Sequence, residues 1–224
     1  MPDPLSDLLL YQDESILVVN KPTGIPVLPD GWEQEAPYLV KQLEELFGRL
    51  WVVHRLDKGT SGVIIFARTA EAHRTLNLLF ESRDVHKVYH AIVVGNPKWD
   101  KHTARHPLRV NVGHHHRTMV DPLKGKPSET TFCILKHFDG YALLSVIPAT
   151  GRTHQVRVHA YALGFPLLGD TLYSAPETDL IPRIALHARS LEFALNNQPF
   201  QFNAPYPTDF EAALASLEAK RKDR

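Results

Sequence analysis

The sequence predicts an α+β fold: a mixed, mainly antiparallel sheet flanked by helices. Three observations point there. Apolar runs of strand length outnumber stretches of helical periodicity. Two of those runs are separated by Asp139-Gly140, a two-residue hairpin signal. Strands and helices do not alternate in the regular way that a parallel sheet requires.

The elements follow in chain order. Ser15 to Asn20 is a short apolar run that ends at Lys21-Pro22-Thr23-Gly24, a strand and its turn. Leu39, Leu43 and Phe47 recur at four-residue steps and predict a helix over 37–47. Val63, Ile64, Ile65 and Phe66 make 62–67 a buried strand. Thr69 is placed to cap a helix whose stripe is Ala72, Leu76, Leu79 and Phe80. Strands are expected over 88–94, 129–137 and 141–148. A helix over 153–163 carries Val156, Ala160 and Leu163, and Gly164 stops it. Strands over 184–191 and 199–203 flank a turn at Asn196-Asn197. Thr208 and Glu211 have the spacing of a capping box for the last helix, whose buried stripe is Phe210, Leu214 and Leu217.

The 224 residues suffice for one large domain, and a single domain over 1–224 is expected. Lys and Arg number 25, as do Asp and Glu, so net charge does not announce a nucleic-acid partner. The one cysteine, Cys133, has no partner for an internal disulfide. The N-terminus lacks the basic region of a signal peptide, and no apolar run is long enough to span a bilayer. The expectation is a cytoplasmic monomer with no membrane association.

Residues 101–126 depart from the average. They hold Lys101, Arg105, Arg109, Arg117, Lys124 and Lys126 against one acid, Asp121. This basic stretch, read as a loop insertion, is suited to neutralising phosphates. His114-His115-His116 lies within it, but adjacent histidines do not face one ion easily and no ligand cluster accompanies them. No metal is expected.

Two segments carry candidate chemistry. In His54-Arg55-Leu56-Asp57-Lys58-Gly59-Thr60-Ser61-Gly62, a carboxylate sits between cations and flexible glycines. Asp57 reads equally as a functional carboxylate and as a turn cap. Gly151-Arg152-Thr153-His154-Gln155-Val156-Arg157-Val158-His159 puts cations at a helix N-terminus, where the helix dipole disfavours them unless an anion is near. That anion is a carboxylate or a phosphate.

These segments resemble the motifs of the RluA-type pseudouridine synthases. The first is similar to the family's catalytic motif. The second, continued by Gly164, Pro166, Leu167-Leu168-Gly169-Asp170 and Tyr173, resembles its second long motif. Lys87-Val88-Tyr89 resembles its tyrosine motif, Asn20 to Val27 its opening strand and turn, and Leu186-His187-Ala188 a late element. The matches come in family order and span nearly the whole chain.

The resemblance implies an enzyme that isomerises a uridine in structured tRNA or rRNA without a cofactor. Asp57 would be the nucleophile, attacking the ribose C1′ or the base C6. Arg157 would pair with it, and Tyr89 would lie against the uracil. Leu186 would wall the pocket, in a cleft across the sheet. Arg55 would enter the RNA stack when the uridine flips out. His54, Arg152, Arg105, Arg109 and Arg117 are the further RNA contacts expected. Many members carry a basic RNA-binding domain ahead of the catalytic one; the opening strand here starts too near Met1 for one, so target choice is expected to rest on 101–126. The alternative is a catalytically inactive RNA-binding or RNA-folding protein of the same fold, against which the retention of Asp57, Tyr89 and Arg157 argues.

Overall fold

The computed structural model describes residues 8–29, 36–113 and 117–222. Two compact units interleave along the chain. The first comprises Met1–His86 and Ala188–Pro205, the second Lys87–His187 and Tyr206–Arg224. Each carries antiparallel pairs and helices, the α+β class that the sequence predicts. No described helix is long and apolar enough to cross a membrane.

In the first unit the strand order is β1 (Leu9–Gln12), β2 (Ile16–Lys21), β4 (Ser61–Ala67), β11 (Leu186–Leu195, of which the residues from Ala188 on belong to this unit), with β12 (Gln198–Asn203) on β11 and the short β3 (Trp51–Val52) on β4. β2 and β4 read as unbroken apolar runs because both of their faces are covered: Ile16 to Val19 and Ile64 to Ala67 are fully buried. Helix α1 (Leu39–Phe47) buries Leu39, Val40 and Leu43. Helix α2 (Ala70–Ser82) starts where Thr69 accepts a hydrogen bond from the Ala72 amide at 3.1 Å. Asn196 and Asn197, both left-handed at φ 50° and 64°, close the β11–β12 hairpin. At Gly62 the backbone meets β11. A Cβ there would lie 2.2 Å from the Ala188 carbonyl oxygen, and φ is +115°.

In the second unit β5 (His86–Val94), β10 (Tyr141–Pro148), β9 (Thr130–His137) and β6 (Lys101–Ala104) pair in that order. The β9–β10 hairpin turns at Gly140 as expected. Residues 101–126 are more ordered than the expected loop. They form β6 and a hairpin of β7 (Leu108–Val112) and β8 (Arg117–Val120). Sequence periodicity misses this hairpin because only Leu108 and Thr118 along it are fully buried. Leu108 packs with Val158 and Tyr173. The His114-His115-His116 run lies outside the described residues.

Helix α3 (Gln155–Ala162) starts two residues later than expected, after His154 in the left-handed region at φ 53°. It is not amphipathic. Gln155 through Ala160 are all buried, so its polar groups must find partners inside the protein. The Gln155 amide donates to the Glu129 carbonyl and the Thr130 hydroxyl, both at 2.9 Å. Its oxygen accepts from Thr150 Oγ1 at 2.6 Å and the Arg152 amide at 3.1 Å. His159 is fully buried, with Nε2 3.1 Å from the His106 carbonyl and Nδ1 2.9 Å from Thr130 Oγ1. A carbonyl only accepts, so Nε2 carries the proton and Nδ1 accepts from Thr130.

Helix α4 (Thr208–Lys222) packs Phe210, Ala213 and Leu217 against Ile92 and Ile181. Its first carbonyl acceptor is Pro207, which takes the Phe210 amide at 2.9 Å and the Glu211 amide at 3.1 Å. Thr208 therefore lies in the first turn and Pro207 is the cap; proline has no side-chain acceptor, so the start of this helix does not use the expected Thr208–Glu211 capping box. Asp209 is held instead by a bidentate pair with Arg183, at 2.6 and 2.9 Å, which lowers its carboxyl below the ordinary range.

Two outcomes follow for stability. Gly62→Ala sets a methyl group against backbone in a left-handed conformation, and is expected to lower the unfolding free energy by about 3 kcal/mol, read from the urea midpoint. Burial pushes the His159 imidazole below its ordinary value, so on acidification the unfolded chain takes up that proton first. The stability supplied by neutral His159 is then complete above about pH 6.5 and falls as the pH drops from there toward the folded-state value, by at most about 1.4 kcal/mol per pH unit. Denaturant titrations between pH 5 and 8 should show a smaller loss of stability on acidification in His159→Gln than in the wild type.

Candidate active site

Asp57 stands in the first unit, on the loop 53–60 that joins β3 to β4. The chain there is apolar on both sides and turns tightly between. Leu56 is buried at the base, Asp57 is half-buried, and Arg55 and Lys58 are exposed. The Thr60 amide donates to the Asp57 carbonyl at 3.0 Å, closing the turn. The opening turn of the chain braces it from beside. The Gly24 amide donates to the Lys58 carbonyl at 2.8 Å, and Thr23 Oγ1 to the Gly59 carbonyl at 3.3 Å. Lys21 is fully buried and its ammonium donates to the carbonyls of Pro22 and Lys58 at 2.9 and 3.4 Å.

His54 serves the same loop. Its Nε2 accepts from the Ile65 amide at 3.1 Å, and its ring stacks on Phe80 with centroids 4.7 Å apart. The imidazole thus pins the loop to β4. Sequence reading assigned His54 to RNA, and its fold role lies in a hydrogen bond that spacing does not reveal.

The other expected residues lie in the second unit. Tyr89, on β5 opposite Val146, packs against an apolar cluster that includes Val146, Val156 and Leu186. Tyr89 and Leu186, 97 positions apart in the sequence, are thereby brought to one cluster. Lys87, two residues from Tyr89 on the strand, has its ammonium pKa lowered by burial.

Arg157 is buried in α3 and finds the anion that its place near a helix N-terminus calls for. Its Nε and Nη2 donate to Asp170 Oδ2 and Oδ1 at 2.7 and 2.9 Å, a bidentate pair with both side chains at least 94% buried. The guanidinium carbon lies 5.0 Å from the centre of the Tyr173 ring. Tyr173 is itself tied on three sides. Its hydroxyl accepts from the Thr118 amide at 3.0 Å, lies 3.1 Å from the Thr118 carbonyl, and is 3.0 Å from His154 Nδ1. Arg117 stacks over the same ring at 5.2 Å. Burial raises the pKa of the Tyr173 hydroxyl, which keeps it protonated and able to donate.

Asp170 and Tyr173 belong to motifs that the sequence displays, yet neither was assigned a role. An acid following Leu-Leu-Gly, with a tyrosine one turn on, was the available signal. Of the other expected RNA contacts, Arg152 is exposed. Arg105 pairs with Glu129 at 2.8 Å, and Arg109 faces Asp121 at 3.1 Å. The first pair is exposed and contributes little to folding, whereas Asp121 in the second is only 15% exposed. Among the described residues no cluster of three or more His, Cys, Asp or Glu is arranged to hold a metal ion.

Known proteins share this sequence and architecture. Residues 15–162 match the RNA pseudouridylate synthase family. The chain is 37% identical over 205 residues to the dual-specificity RNA pseudouridine synthase RluA of Salmonella typhi, covering 91% of this chain and 94% of that protein. It is 38% identical over 186 residues to the protein of the same name in Escherichia coli, covering 82% and 85%. Among solved structures, human RNA pseudouridylate synthase domain containing 4 superposes with a TM-score of 0.79 at 26% identity, covering 96% of this chain and 94% of the other. Human RNA pseudouridylate synthase domain containing 1 gives the same score at 29% identity. Motif order, sequence identity and fold agree along almost the full length, and the chain belongs to the RNA pseudouridylate synthase family.

Proposed function

We propose that this chain, an RNA pseudouridine synthase by family, isomerises a specific uridine in structured tRNA or rRNA with Asp57 as nucleophile. The observation that carries this reading is the Asp57 loop. A half-buried carboxylate is held on a tight turn whose backbone is fixed by Lys21, Thr23, Gly24 and His54. Such a nucleophile is aimed before substrate arrives, and little ordering remains to be done in the reaction.

The carboxylate adds to the nucleotide at the ribose C1′ or at the base C6. By either route the N1–C1′ bond breaks, the uracil turns, and a C5–C1′ bond forms. The C5 proton then leaves to a base, and N1 gains a proton. Substrate and product are isomers, so the reaction needs neither oxidant nor energy source. Tyr89 lies against the uracil and takes the C5 proton, directly or through water. Leu186 supplies an apolar wall. Arg157, rigid in its pair with Asp170, presents a cation to the reacting carboxylate. Arg55, exposed beside Asp57, fills the gap left by the flipped uridine and offsets part of an unstacking cost of a few kcal/mol. Arg105, Arg109, Arg117 and Arg152 contact phosphates. The name dual-specificity carried by the bacterial relatives favours more than one RNA target. We place the protein in the cytoplasm, acting as a single-domain monomer.

Pseudouridine mapping in cellular tRNA and rRNA, with and without the gene, tests this reading. Loss of the gene should remove pseudouridine at one or a few positions. Complementation with Asp57→Asn should restore none of them, with the purified variant slower by about a thousandfold or more. Restoration of every site by that variant would leave the RNA-folding alternative standing. Asp170→Asn keeps shape but removes the carboxylate charge from the buried pair with Arg157. It is expected to lower the unfolding free energy by about 3 kcal/mol and to depress kcat at temperatures where the variant remains folded, as read by circular dichroism.

A further inference from the structure

The turn that follows β8, residues 121–125, is fixed from several directions. The Asp121 carboxylate accepts through Oδ1 from the Leu123 and Lys124 amides, at 3.1 and 2.9 Å, and its Oδ2 faces Arg109 Nε at 3.1 Å. The Gly125 amide returns to the Asp121 carbonyl at 2.8 Å. Below the turn, Leu108 and Lys126 exchange two backbone hydrogen bonds, at 2.9 and 2.8 Å. Gly125 leaves no room for a side chain, since a Cβ would lie 2.4 Å from the Asp121 carbonyl oxygen and 2.6 Å from the Pro107 carbonyl carbon.

On this rigid turn stands Leu123, 93% exposed. Turn closure uses its amide and not its side chain, so the fold does not require a leucine there. Lys124 and Lys126, both exposed, follow it. The one acid of the turn, Asp121, is already engaged by two amides and Arg109. The surface offered is therefore an apolar knob flanked by cations, on the hairpin whose Val110 and Met119 are each 40% exposed.

We propose that Leu123 is an apolar wedge for RNA, packing against an unstacked base of the substrate while Lys124 and Lys126 hold neighbouring phosphates. The proposal rests on the RNA substrate inferred above and does not depend on the role given to any catalytic residue. Leucine is among the side chains that insert between base steps. Lysines beside it release counterions from the backbone and bring the wedge to the bases. A turn ordered before binding spends little further entropy, so the apolar area of Leu123 goes into affinity.

The test measures binding of purified chain to total tRNA and rRNA, taken from cells lacking the gene, at a series of KCl concentrations. Multiple-turnover kinetics on the same RNA run beside it. Leu123→Ala should bind about tenfold more weakly, the loss expected when a leucine no longer becomes buried. Its salt dependence, Tm and kcat at saturating RNA should match the wild type while KM rises. Leu123→Met, which keeps apolar volume, should remain within about twofold of wild type. Lys124→Ala should weaken binding with a shallower salt dependence. Unchanged affinity and KM in Leu123→Ala overturn the proposal, whether or not Lys124→Ala loses affinity. If the wild type neither binds nor modifies any of these RNAs, the RNA reading itself fails and the wedge falls with it.

Discussion

The second unit depends on one buried ion pair, Arg157 with Asp170. Two charges with side chains 6% and 1% exposed have lost most of their hydration. That loss is repaid only by good geometry, and the bidentate contact at 2.7 and 2.9 Å supplies it. The consequences run outward through the backbone. The Asp170 carbonyl accepts from the Tyr173 and Ala175 amides, at 3.0 and 3.1 Å, and so shapes the short 3-10 turn Thr171–Tyr173. That turn puts the Tyr173 ring beside Arg157 and its hydroxyl on the backbone of β8. One residue, Asp170, therefore positions a cation through its carboxylate and an aromatic ring through its backbone carbonyl.

The first unit solves a different problem, which is to present a carboxylate without letting its loop move. Its means are backbone hydrogen bonds joined by bonds from the side chains of Thr23, Lys21 and His54. Lys21 places its ammonium on carbonyls at both ends of the contact between the opening turn and the Asp57 loop. His54 accepts a strand amide, which demands a neutral ring nitrogen. The close approach at Gly62, where β4 leaves the loop, admits no other side chain. Much of the chemistry around Asp57 thus serves to hold one turn still.

What the sequence made legible divides along the range of the interactions. β2 and β4 were legible because burial on both faces writes an unbroken apolar run. The Thr69 cap and the Asp139-Gly140 turn were legible because their chemistry is complete within a few residues. Burial of α3 on every side was not, since Gln155 and His159 find partners in Glu129, Thr130 and His106, which are 25 to 53 positions distant. The β7–β8 hairpin was hidden for a related reason. Its inward residues are few, and their partners Val158 and Tyr173 come from later in the chain. Among candidate site residues, Asp57, Tyr89 and Arg157 entered through family resemblance. Local chemistry had offered only a carboxylate beside cations and a cation in want of an anion.

Buried ion pairs give little net stability over a packed hydrophobic substitute. What they give is direction. Two of the three guanidinium nitrogens of Arg157 are held by Asp170, and the group is planar, so the pair sets the plane of the whole guanidinium. The Tyr173 ring lies 5.0 Å from the guanidinium carbon and limits its tilt. A lysine could carry the same charge but would leave its direction open. The desolvation of two ions is thus offset by a bidentate contact that gives the Arg157 cation a fixed orientation.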